Sequence, residues 1–174
     1  TGSLIEPLMD MMIQYILAHR YPEYAKYQMS CFTETEAGRD YHWCHNCSIC
    51  AKMYLMCAGS GIDPKKIGLR VNMLEPEYKQ FFTLFGGKSI TMTYAHTKVG
   101  RDEQLFAFYL ASKKGVQGGL VEEFKASTLY QEAKDREEEL RKTFCSLHTS
   151  ISVPQELRDS VNSIYKEELD SFQI

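Results

Sequence analysis

Cys31, Cys44, Cys47 and Cys50 stand in the order C-x12-C-x2-C-x2-C, and no other feature restricts so tightly how the surrounding chain can fold. Two cysteines separated by two residues can aim both thiolates at one ion from a tight turn, whose N–H groups also stabilise sulfur charge. A third at the same interval extends the geometry. With Cys47 and Cys50 in the first turn of a helix, positions i and i+3 share a face, and Cys44 reaches the same point from just outside. Cys31, at the end of an extended piece, closes the tetrahedron. Cysteines this close in sequence pair poorly as disulfides, so a metal site is the expected chemistry. Four thiolates with no open position describe a structural Zn²⁺ site, with Zn–S bonds of about 2.3 Å. Such a site is a staple, not a catalyst. Its binding energy, on the order of 10–16 kcal/mol in small zinc peptides, is enough to hold a polar loop such as residues 33–42 in place.

Other ligand sets are open at this point. His42 and His45 flank the cluster, and either could replace Cys31. An iron–sulfur cluster is the rival metal centre, because C-x2-C-x2-C matches the first three cysteines of a bacterial ferredoxin motif. That motif continues with x3-C-P, whereas here Cys57 lies seven residues beyond Cys50 and is followed by Ala58. Cys57 and Cys145 read as plain buried thiols.

The chain of 174 residues can bury a core without help from the metal. Its 20 Lys+Arg against 23 Asp+Glu leave a net charge of −3, which gives no global attraction to phosphate backbones or anionic membranes. Nucleic acid is therefore not the expected partner, and it would need a local patch. The apolar run of residues 4–17 is broken by Glu6, Asp10 and Gln14 and is shorter than the roughly 20 residues that span a bilayer, so neither a signal peptide nor a membrane anchor is expected. Reduced cysteines place the chain in the cytoplasm.

Periodicity predicts a mainly α chain with at most a few short strands: a helical module built around the four-cysteine zinc site. Ser3 and Glu6 read as a capping box that opens a helix running to His19. Apolar residues occupy nearly every direction around that helix, so it must be covered on more than one side. Residues 22–26 read as a turn or a single helical turn, 27–32 as an extended piece, and 46–56 as a helix closed by Gly59-Ser60-Gly61. Asp63-Pro64 pairs an N-cap with proline at the first helical position, and Glu75-Pro76 loosely repeats the device. Residues 89–94 form the other strand candidate. Helices follow over 102–113, over 120–146 as one long helix or two joined, and over 154–172. Residues 1–60 are expected to form the helix and zinc unit, and 61–174 a helical C-terminal region, possible parts of one continuous domain.

Tyr21-Pro22-Glu23, Ser30-Cys31 and Trp43-Cys44-His45-Asn46-Cys47-Ser48-Ile49-Cys50 together resemble the C-terminal zinc-binding part of PP-loop ATP pyrophosphatases of the 7-cyano-7-deazaguanine synthase type. The likeness covers residues 4–60. It implies that Cys31, Cys44, Cys47 and Cys50 hold a structural zinc, and that a separate N-terminal domain activates a substrate carboxylate with ATP. The loop between the first two cysteines is longer here than in the usual synthase. The S-G-G-x-D-S phosphate loop of that family is absent from this sequence; Gly59-Ser60-Gly61-Ile62-Asp63 echoes it but reads as a helix C-cap followed by an N-cap. The chain opens Thr1-Gly2-Ser3 without an initiator Met. Residues 1–174 are thus expected to be the C-terminal portion of a longer protein, not catalytic alone, with ATP bound only by the complete protein. The expected partner is the nucleotide-binding N-terminal domain, or a second copy of the chain docked through the first helix.

Competing readings are weaker in chemistry. A stand-alone zinc-binding module could use the Met-rich first helix and the Lys65-Lys66, Arg70 and Lys79 cluster to hold a protein or RNA. Ser150, His148 and Asp159 contain the residue types of a nucleophile set but lack any strained elbow motif. Glu122-Glu123 and Glu137–Glu139 read as wet helix faces, with Glu137 paired to Arg141. His96, Lys98 and Arg101 precede a helix and could meet an anion, though no motif supports it.

Overall fold

The structure is a computed structural model that describes residues 3–29, 31 and 42–172. It is mainly helical, and no strand occurs among the described residues. The helices are α1 (Asp10–Arg20), α2 (Pro22–Ala25), α3 (Ser48–Ser60), α4 (Lys98–Lys113), α5 (Gly119–Lys125), α6 (Thr128–Asp135), α7 (Glu137–Phe144) and α8 (Gln155–Asp170). Between α3 and α4 the chain makes four short 3-10 turns, Pro64–Ile67, Pro76–Phe81, Thr83–Phe85 and Thr93–His96.

The centre is the crossing of α3 and α4, each buried over most of its circumference. Their approach is so close that a Cβ on Gly59 would lie 2.7 Å from the Ala107 carbonyl oxygen. Met11 and Met12 of α1 are fully buried, and α1 packs on α3. α5, α6 and α7 wrap α4 with aromatic contacts, including Phe108 on Phe124 at 5.6 Å and Phe106 on Phe144 at 6.1 Å between ring centroids, while Phe82 of the 3-10 segment meets Phe108 at 5.2 Å. One apolar cluster therefore runs from Leu8 to Phe144.

Several elements differ from the sequence expectation, each for a local reason. The first helix begins at Asp10, not at Ser3. Pro7 disfavours helical geometry at the residue before it, which breaks the proposed capping box. Glu6 instead accepts from the Ser152 N–H at 2.8 Å and from the Ser150 and Ser152 hydroxyls, pinning the N-terminal segment to the entry of α8. The all-round apolar character of α1 is used unevenly: Met11, Met12 and Tyr15 are buried, while Ile13, Ile16 and Leu17 line an open groove of about 340 Å³ against Ile164 and Tyr165 of α8.

Residues 89–94 make no strand. Ser48 Oγ accepts the Thr91 N–H at 3.0 Å, so this segment is tied to the start of α3 before it turns at Thr93–His96. The extended piece expected from residue 27 continues as turn, with Tyr27 N–H bonded to Tyr24 O and Gln28 N–H to Ala25 O. Ser30, Phe32 and most of the polar 33–42 loop lie outside the described residues. α4 begins at Lys98, where the Thr97 hydroxyl caps the Gly100 N–H at 3.0 Å. The expected long helix over 120–146 is three helices. Ser127 stops α5 and caps α6 by accepting from Leu129 N–H, and Arg136 ends α6 by folding back onto Asp102 at 2.6 Å.

Candidate metal centre

α3 opens at the cysteine cluster. Cys47 is its N-cap residue, in extended conformation, and its Sγ accepts the Cys50 N–H at 3.4 Å. The preceding turn reverses through His45, whose φ of 55° is left-handed, and this lets the Asn46 N–H point at Cys44 Sγ at 3.3 Å. Sulfur thus occupies the place that a serine or aspartate oxygen takes at an ordinary helix start, where N–H groups and the helix dipole favour negative charge. Cys31 joins from the far side of the loop. Its Sγ lies 3.7 Å from Cys47 Sγ, while Cys44 Sγ lies 3.8 Å from Cys50 Sγ. All four sulfurs fall within 4.8 Å of one another.

The thiols differ in acidity. Hydrogen bonds from the Cys50 side chain and backbone, helped by Cys44 and Cys31, draw Cys47 down to about 5 against the effect of burial. Burial pushes Cys44 up to about 12. Cys50 is raised, first by the hydrogen bond it shares with Cys47 and then by burial. Cys47 is therefore the more readily ionised of the shifted sulfurs, and because a cation binds thiolate in competition with protons, its affinity rises with pH. Cys57 and Cys145, each pushed up to about 12 by burial, sit apart from the cluster as unreactive thiols.

Neither histidine belongs to the sulfur cluster. His45 Nε2 lies 3.1 Å from the Arg70 N–H and 3.3 Å from the Gly68 carbonyl. Burial lowers its pKa, which favours the neutral ring that can accept from Arg70. His42 lines a separate concavity with Lys65 and Lys66. A residue that sequence reasoning missed completes the arrangement. Trp43 is fully buried and donates its Nε1–H to the Ile67 carbonyl at 2.6 Å. Trp43 and His45, on either side of Cys44, thus moor the knuckle to residues 67–70.

The remaining candidates separate. Ser150 is bonded to Glu6, His148 Nε2 to the Thr143 carbonyl, and Asp159 is exposed, so no nucleophile set assembles. Arg101 forms a two-point ion pair with Glu132, both contacts at 2.8 Å, in place of an anion site with His96 and Lys98. Lys79 pairs with Glu123 at 2.6 Å, away from the other basic residues. Glu137 does pair with Arg141, at 3.2 Å. No helix among the described residues is long and apolar enough to cross a membrane. The chain matches no family model, no curated protein and no solved structure.

Proposed function

We propose that Cys31, Cys44, Cys47 and Cys50 hold one structural zinc ion. The observation that carries this is the spacing of the sulfurs. A tetrahedron with metal–sulfur bonds of about 2.3 Å has edges of about 3.8 Å, and the two sulfur pairs stand at 3.7 and 3.8 Å. A cluster of several irons needs its thiolates spread around the cluster instead of converging on one point, so the spacing favours a single ion. An all-sulfur donor set suits zinc. When bound, the zinc would cross-link the segment ending at Cys31 to the knuckle and to the first turn of α3, with no position left for a substrate water.

We further propose that the chain is the zinc-binding module of a PP-loop ATP pyrophosphatase of the deazaguanine-synthase type, non-catalytic in itself. The signature residues around the four cysteines support this reading. The open apolar groove between α1 and α8 suits a face that meets the nucleotide-binding domain.

Two measurements test the two proposals separately. Native mass and elemental analysis of the purified chain should give one zinc per chain, and Cys47→Ser should lose it; an iron chromophore, or full zinc content in Cys47→Ser, overturns the metal assignment. Reading the gene upstream of Thr1 should reveal an S-G-G-x-D-S loop after a strand. A start codon directly before Thr1 overturns the PP-loop reading and leaves the metal assignment untouched.

A further inference from the structure

α2 and the turn after α3 come together beside the metal knuckle and form a basic concavity of about 300 Å³. Lys26 and Tyr27 stand on one wall, Lys65, Lys66 and Arg70 on the other, and His42 and Gly68 between them. No carboxylate is among the described residues that line it, although the chain as a whole is acidic. Lys26, Lys65 and Lys66 are exposed and make no ion pair among the described residues, whereas Lys52, Lys79, Lys113 and Lys125 are each paired with a carboxylate. Concentrating unpaired positive charge in one concave place raises the local potential even where the net charge is negative.

The walls are held rigidly. The Asp63 side chain caps the 3-10 turn through the Lys65 N–H at 3.0 Å, and Ile67 is buried beneath it. Trp43 and His45 fix Ile67, Gly68 and Arg70 from the knuckle side. Pro22 starts α2, which packs on the Pro64–Ile67 turn. One aromatic ring stands among the lining residues: Tyr27 is 64% exposed, with Lys26 Nζ 4.9 Å from its ring centroid. A planar ring held open beside several cations is suited to stack a base while the cations take its phosphate.

We propose that this concavity binds a nucleotide through its phosphate and base, either a free mononucleotide or the end of a single-stranded RNA. The phosphate meets Lys65 and Lys66, and the base stacks on Tyr27. The volume matches the lower end of small-ligand sites, which suits one nucleotide and not a folded duplex. This goes beyond the structural zinc reading and uses none of the proposed ligands, so a failure here does not bear on the metal.

The test uses the zinc-loaded chain at low salt with three probes: adenosine monophosphate, a 5′-phosphorylated RNA pentanucleotide and inorganic phosphate. Binding is followed by NMR shifts for the small probes and fluorescence anisotropy for the strand. The expected result is binding of at least one nucleotide probe, weakened about tenfold by Lys65→Gln/Lys66→Gln and by Tyr27→Ala, the latter leaving phosphate binding unchanged. For the strand, the double variant should also reduce the slope of log K against log salt by about 1.4. Comparable affinities for the two nucleotide probes support a free nucleotide, and much tighter binding of the strand supports an RNA end. The control Lys134→Gln/Lys142→Gln removes the same charge from α6 and α7 and should leave binding intact. No nucleotide binding, an equal loss in the control, or phosphate binding as tightly as both nucleotides overturns the proposal.

Discussion

Glu103→Gln should remove a pH dependence built into the junction of α1, α3 and α4. Glu103 is only 2% exposed, and its Oε2 lies 3.1 Å from Lys52 Nζ. Lys52 also meets Asp10 at 2.7 Å and lies 4.7 Å from the centre of the Tyr94 ring. The other Glu103 oxygen, Oε1, is buried without a hydrogen-bond partner among the described residues. Burial raises the Glu103 pKa from 4.5 to about 7, and Lys52 only partly offsets this while Asp10 adds to it. Burial works against the Lys52 charge, but Glu103 and Asp10 outweigh it and raise its pKa, so Lys52 remains charged throughout the acid range.

The sign follows from proton counting. Between pH 4.5 and about 7 the folded chain holds a proton on Glu103 that the unfolded chain has lost, so stability falls as pH rises. The full gap corresponds to about 3 kcal/mol, of which about 2 to 3 kcal/mol develops between pH 5 and 8. Glutamine imitates the protonated acid at every pH. Urea unfolding of both proteins at steps from pH 5 to 8 should show the parent losing this much stability relative to Glu103→Gln. Other titrating groups, His45 and the thiols among them, are common to both proteins and cancel in the difference. A difference that stays flat across the range, or that grows in favour of the parent, refutes the reasoning.

Two further substitutions probe the packing that positions the metal centre. Trp43→Phe should cost about 2–4 kcal/mol, because the buried Ile67 carbonyl loses its donor and the smaller ring leaves a void. Zinc content should persist, and a loss under about 1 kcal/mol in urea unfolding contradicts the mooring role. Gly59→Ala should destabilise by about 2 kcal/mol despite the better helix propensity of alanine, since the added carbon meets the Ala107 backbone oxygen at 2.7 Å. A raised melting temperature would show that α3 and α4 can separate freely.

What could be read in the sequence was local in the chain. The cap at Gly61, the Asp63-Pro64 start and the grouping of Cys44, Cys47 and Cys50 depend on neighbours within a few residues, and the structure contains each. The breaks at Ser127 and Arg136 were hidden because the helical pattern continues across them, and because Arg136 turns toward Asp102, 34 residues away. The start of α4 was hidden because its first turn, Lys98-Val99-Gly100-Arg101, carries a glycine, a weak helix former. The moorings of the knuckle were illegible for a related reason. Trp43 donates to the Ile67 carbonyl and His45 accepts the Arg70 N–H, and a backbone partner leaves no trace in residue type. The basic concavity combines Lys26 and Tyr27 with residues some forty positions later, while Lys79, its closer companion in sequence, is held elsewhere by Glu123.

The position of the proposed zinc relative to the core separates two roles that a metal can play. In a small zinc peptide the ion is the core, and removing it unfolds everything. Here the apolar cluster runs from Leu8 to Phe144, and α3 lies against α4 along its length, well beyond the first turn that carries Cys47 and Cys50. That burial does not depend on the four sulfurs. What does depend on them is the course of the chain through Cys31 and the knuckle, whose tight turn holds His45 in a left-handed conformation that a non-glycine residue adopts only when its surroundings enforce it. Through Trp43 and His45 the same knuckle braces residues 67–70. An ion held by the four sulfurs would therefore act as a local fastener whose influence extends to the basic wall beside them, and chelation should loosen amide protection around residues 42–47 and 67–70 while α3 and α4 keep theirs.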